Sequence, residues 1–133
     1  MKSAVLLVAL LALLMVTACG SGSSPTLNVS GQWQFTTSPG SAGTITLNQQ
    51  GTQLTGSMSE TDYINTQITG TLAGDSLTAT ITAAYDGPDQ CLARVNPVTI
   101  NLSGTVAADG NSMSGQFTEH TGCPNSYQNV KVS

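Results

Sequence analysis

A five-residue pattern recurs along this chain and constrains its fold more than any other feature. An apolar residue, a Ser or Thr, a Gly, a Ser, Thr or Gln, and a second apolar residue follow one another in Val29–Trp33, Leu54–Met58, Ile68–Leu72, Leu102–Val106 and Met113–Phe117. A sixth copy, Leu77–Ile81, has Ala79 in place of the glycine. Successive side chains of an extended chain point to opposite faces. The first, third and fifth positions therefore share a face that reads apolar, Gly, apolar, while the second and fourth put hydroxyls or amides on the other. This is the signature of a half-buried antiparallel strand. Glycine weakens the middle of a strand, so its return at one position calls for a common cause. Closing a sheet into a narrow barrel needs tight bends, and glycines on the inner face supply them. They also leave room for the few large side chains, notably Trp33 and Phe35.

Turn signals separate the copies. Gln49-Gln50-Gly51-Thr52, Ala73-Gly74-Asp75-Ser76 and Ala108-Asp109-Gly110-Asn111-Ser112 read as short hairpin connections whose glycines take positive φ. The predicted strands are Gly31–Thr37, Thr44–Gln49, Gln53–Ser59, Thr66–Leu72, Ser76–Ala83, Pro97–Val106, Met113–Glu119 and Tyr127–Val132. Nothing beyond the N-terminal segment has helical periodicity. The expectation is an all-β domain, a single antiparallel up-and-down meander of about eight strands. It is closed or nearly closed into a barrel, because closure removes exposed edges.

The 133 residues leave room for one domain. Charged residues make up 8% and aromatics 5%, which implies a thin core rich in small and β-branched side chains. Without Lys2, the cations are Arg94 and Lys131 against seven acids. A nucleic-acid binder needs a basic stripe to displace counterions from phosphates, and two separated cations cannot make one. The same shortage argues against electrostatic docking on anionic lipid.

The N-terminus reads as an export signal. Lys2 precedes a continuous apolar run from Ala4 to Val16, shorter than the roughly 20 residues a membrane-spanning helix needs. The run ends in Val16-Thr17-Ala18-Cys19. That string resembles the lipobox of bacterial lipoproteins, in which an aliphatic and two small residues precede the modified cysteine. The resemblance implies that residues 1–18 are removed and that Cys19 carries a lipid anchor to a membrane. Gly20, rather than Asp, after the cysteine implies the outer membrane where the organism has one. The alternative is ordinary signal cleavage with Cys19 incidental. The Gly/Ser run Gly20–Ser24 makes residues 19–27 a flexible tether, and residues 28–133 form the β domain.

Gly31-Gln32-Trp33 opens the first strand. It resembles the Gly-x-Trp that opens strand one of the calycins, the lipocalins and avidins, whose Trp packs across the closed end of the barrel. The stretch from Gly31 to Ser59 is similar to the start of an avidin. The resemblance implies a calycin-like barrel with Trp33 as a structural residue at its end. The later tryptophans that wall the biotin site have no counterpart, so biotin binding is not carried over.

In an exported chain the two remaining thiols, Cys91 and Cys123, most often pair. Free thiols and a metal site are the alternatives, but only His120 is near, and zinc takes four ligands. No cofactor is implied. His120 beside Glu119, the pair Glu60 and Asp62, and Asp86 with Asp89 are the groups that could serve catalytic or calcium chemistry. They read as strand-end, loop-rim and turn residues. No Ser sits in a nucleophile turn, so the chain reads as a non-enzyme. Barrel ligand sites lie at the open mouth. The connections Ser59–Thr66 and Tyr85–Asn96 would form that rim, with Tyr63, Tyr85 and Arg94 as the contact set. The expected function is a membrane-anchored envelope binding module for a small hydrophobic ligand or a protein partner. A structural surface-coat role is the alternative, and a hydrolase the remaining one.

Overall fold

The computed structural model describes residues 26–37, 40–124, 126 and 130–132. The signal segment 1–18, Cys19 and the tether through Pro25 lie outside the described residues, as does the stretch 127–129 of the last predicted strand.

The period-two pattern folds as sheet almost wherever it occurs. The strands are β1 (Gly31–Thr36), β2 (Ala42–Gln50), β3 (Gln53–Ser59), β4 (Tyr63–Ala73), β5 (Ser76–Tyr85), β6 (Val98–Val106), β7 (Met113–Glu119) and the three-residue β8 (Val130–Val132). Each pairs antiparallel with the next, in the linear order β1 to β8. The sheet curls until its first and seventh strands meet from the inside: the rings of Phe35 on β1 and Phe117 on β7 lie edge to face with centroids 5.3 Å apart. Among the described residues no ladder joins β1 to β8, so the meander is an open half-barrel with a seam beside β1.

The core is the inner face of this curl. On β5, Leu77, Ala79, Ile81, Ala83 and Tyr85 are all buried, with every second residue between them outward. The pentad glycines fall in the same alternation, Gly56 between buried Leu54 and Met58, and Gly104 between Leu102 and Val106. There the strands press together. A Cβ on Gly104 would lie 2.6 Å from the Ser114 carbonyl oxygen, and one on Gly70 would lie 2.7 Å from both Cα and Cβ of Ala79. Gly70 is the register partner of Ala79, so the sixth copy can carry Ala because its neighbour carries nothing. Gly31 in the first copy differs. It is exposed, with φ 131° and open space around it, and it turns the chain into β1 rather than pinching two strands. Gly70→Val should cost about 1–3 kcal/mol by forcing backbone apart, read as a lower urea midpoint with unchanged slope.

The three predicted turns hold Gly51, Gly74 and Gly110 at φ 62°, 64° and 72°. Two connections differ from expectation. Ser59–Thr66 is not a long loop: a bridge between Glu60 and Tyr63 closes a tight turn, and β4 begins at Tyr63. A bulge between Ile64 and Gln67, with Asn65 at φ 52°, hid this start. The Thr66 hydroxyl repairs the ladder there, accepting from the Met58 amide at 2.7 Å and donating to the Met58 carbonyl. The second is the β5–β6 connection, which holds a five-residue helix, α1 (Gln90–Arg94). It is too short to show a period. Asp89 caps it, accepting from the amides of Cys91 and Leu92 at 2.8 and 3.0 Å, and Leu92 is buried beneath.

Candidate functional site

Three places gather the side chains singled out by the sequence. The first is the base of the half-barrel, the end of the β2–β3, β4–β5 and β6–β7 turns. The chain enters there. Val29 is fully buried, and Gln49 holds the incoming segment. Its Oε1 accepts from the Val29 amide at 2.9 Å, while its Nε2 donates to the carbonyls of Leu27 and Gly51 at 3.0 and 2.8 Å. Trp33 is half-buried on β1, and its indole N–H donates to the Val29 carbonyl at 2.8 Å. Gln49→Ala leaves the Val29 amide without this acceptor. It should destabilise by about 1–3 kcal/mol and abolish slow hydrogen exchange at Val29 ahead of the strands.

The second is the opposite end, which carries the predicted rim. Tyr63 and Tyr85 are brought together, facing register partners with ring centroids 5.4 Å apart. Both are buried, and both hydroxyls are engaged. Tyr63 donates to the Glu119 carboxylate at 3.3–3.4 Å, and Tyr85 accepts from the Asp89 amide at 3.1 Å. Arg94 stands exposed on α1, and no hydrogen bond or ion pair among the described residues joins it to either tyrosine. Glu119 is the residue that sequence reasoning missed. The residue is 1% exposed, on the inner face of the half-barrel. The signal was available, since Glu119 follows Met113, Gly115 and Phe117 at even spacing and so shares their inward face. His120, one step on, is exposed and makes no hydrogen bond among the described residues. Tyr63 and Tyr85, with Glu60, Asp62 and Asp89, line a depression of about 500 Å³ at this end. Among the described residues no cluster of three His, Cys, Asp or Glu is arranged to hold a metal ion.

Cys91 on α1 and Cys123 form a disulfide with Cα atoms 5.8 Å apart, tying the β5–β6 connection to the segment after β7.

The third place is the seam. A partly enclosed crevice of about 160 Å³ runs from the wall between β1 and β7 into the core. Trp33, Phe35, Ile45, Leu77, Leu102 and Met113 line it. Its floor is bare because Gly104 and Gly115 face each other in register and put no side chain into it. The pentad repeat thus creates the space. No family model matches the chain, and no curated protein or solved structure is significantly similar to it. Among the described residues no helix is long and apolar enough to cross a membrane.

Proposed function

We propose that this chain is a cell-envelope lipoprotein, held to a membrane by lipid on Cys19, whose calycin-like β domain is a non-enzymatic binding module. The outer membrane is its address where the organism has one. In this reading the eight strands form a nearly closed barrel, with the seam as its binding mouth. One observation carries the binding reading: the apolar crevice between β1 and β7. Its volume of about 160 Å³ is below the roughly 300–1,000 Å³ of pockets that enclose a whole drug-sized ligand. It is close to the ~150 Å³ at which an apolar protein cavity stays dry and takes up benzene. The inserted part of the ligand is therefore one ring or one side chain. At the crevice the contact set is Trp33 and Met113, while Tyr63 and Tyr85 line the depression at the opposite end, near Arg94 on α1.

The entry path of the chain sets the orientation. Gln49 fixes Leu27 and Val29 at the base, so a tether from Cys19 leads to that end. The disulfide end then points away from the bilayer.

Mass spectrometry of the N-terminal peptide tests the address: an acylated Cys19 is expected, and an unmodified one overturns the anchor. Thermal unfolding with benzene tests the crevice. A saturable rise in melting temperature is expected, absent in Ile45→Phe, which fills the space. No shift in the folded wild-type protein overturns the crevice as a site.

A further inference from the structure

The β5–β6 connection is a strap over the tyrosine pair. Gly87 lies against the phenol of Tyr85, where a Cβ on it would come within 2.6 Å of Tyr85 Cζ and 2.8 Å of the Asp62 carboxyl carbon. Next to it the Asp89 amide donates to the Tyr85 hydroxyl at 3.1 Å. Pro88, Asp89, Gln90 and Leu92 then wall the depression that Tyr63 and Tyr85 line. Under this strap the two tyrosines are 6% and 8% exposed.

Both ends of the strap are pinned to the sheet. The Asp86 amide donates to the Asp62 carbonyl at 2.9 Å. Asn96 accepts from the Tyr85 amide at 2.9 Å and donates to the Tyr85 carbonyl at 3.1 Å. The centre is held by Cys91, bonded to Cys123 beyond β7. Little else holds it. α1 has five residues and buries only Leu92, and a helix needs about 12–15 residues to persist by itself in water. The far anchor keeps its own contacts without the bridge. The Cys123 amide donates to the Thr121 hydroxyl at 3.2 Å, and the amide and hydroxyl of Ser126 both donate to the Cys123 carbonyl. The two sulfur-bearing residues also differ in access, since Cys91 is exposed and Cys123 is buried.

We propose that the Cys91–Cys123 bridge is a redox latch: oxidised, it closes the β5–β6 connection over Tyr63 and Tyr85, and reduced, it releases residues 88–94 and uncovers them. The reductant it takes is a dithiol. One thiolate of the dithiol attacks Sγ of the exposed Cys91, and the S–S bond breaks with its electron pair on Cys123 Sγ, which takes up a proton. The second thiolate then displaces Cys91 Sγ, which is protonated in turn, and the reductant leaves as a disulfide. Two electrons and two protons pass to the protein. Freed of the bridge, the single turn of α1 opens locally, as weakly packed segments do, and the Tyr85 hydroxyl loses its Asp89 donor. The latch works at the end of the half-barrel away from the crevice and stands whether or not the crevice binds.

Amide hydrogen exchange on the full mature protein, with and without dithiothreitol, tests this. The amides of Leu92, Ala93 and Val95 are hydrogen-bonded in the closed form. On reduction they should exchange about tenfold faster or more, while the central strand β5 keeps its protection. Reoxidation should restore slow exchange. In Cys91→Ser/Cys123→Ser, N-acetylimidazole should modify Tyr63 and Tyr85 about tenfold faster or more than in the oxidised parent, read by mass spectrometry. Equal α1 exchange in the two redox states overturns the latch, because packing alone then holds the strap. Loss of β5 protection together with that of α1 also overturns it, because the bridge is then a staple of the whole domain. A strap that opens while both tyrosines stay unreactive overturns its role as their cover.

Discussion

Phe117→Ala should remove about 3–5 kcal/mol of stability and lower the melting temperature by on the order of 15 °C. The chain has two phenylalanines, and they pack edge to face across the interior. Phe117 is fully buried on β7, opposite Leu102 of β6 and Val130 of β8. Its ring, with those of Phe35, Tyr63 and Tyr85, is one of the few large volumes in a core otherwise built mainly of Leu, Ile, Val, Ala and glycine. The surrounding wall cannot collapse into the void, because the pentad glycines already hold neighbouring backbones at contact. Against a typical net stability of about 5–15 kcal/mol, the variant sits near the limit of folding, and urea unfolding reads this directly. The new space opens beside Phe35 and hence beside the crevice. Benzene should therefore recover more stability in the variant than in the parent. An equal benzene effect in both proteins would mean that the two spaces do not connect.

Replacing both Cys91 and Cys123 with serine should cost about 3–4 kcal/mol, the chain-entropy value for a loop of this length. The cysteines are 32 residues apart in sequence. The loop contains β6 and β7, so losing the bridge frees two interior strands in the unfolded chain. It also releases α1, whose single buried side chain, Leu92, and Asp89 cap are modest anchors. The midpoint of denaturant unfolding should fall on reduction of the parent protein and stay unchanged on reduction of the double variant. A parent insensitive to reductant would show that the native packing, not the bridge, sets its stability.

Much of this architecture was legible because its signals are local. Period-two alternation placed β3 and β7 at their observed ends, and the Gly51, Gly74 and Gly110 turns fixed the hairpin order. The cysteine pair followed from compartment and count. What stayed hidden depends on contacts between segments distant in sequence. The bulge at Asn65 shifts β4 out of simple alternation, so its first turn read as loop. The α1 helix has one turn, held by Asp89 and the buried Leu92 rather than by any repeat. The crevice was the least legible. It arises because Gly104 and Gly115, each unremarkable in its own strand, meet in register, and register is a property of the pair. The two tyrosines line the depression at the predicted rim but are mostly buried there. The tight Glu60–Tyr63 turn brings their strands together and folds them inward.

The single covalent cross-link joins two places on the same flank of the molecule, after β5 and after β7. It does not bridge the split beside β1. An oxidising compartment therefore stiffens the later half of the chain while the first strand hangs from one neighbour, secured elsewhere by aromatic contact and by the grip on its leading residues. The protein is bolted along one side by a covalent link and held along the other by packing and hydrogen bonds alone.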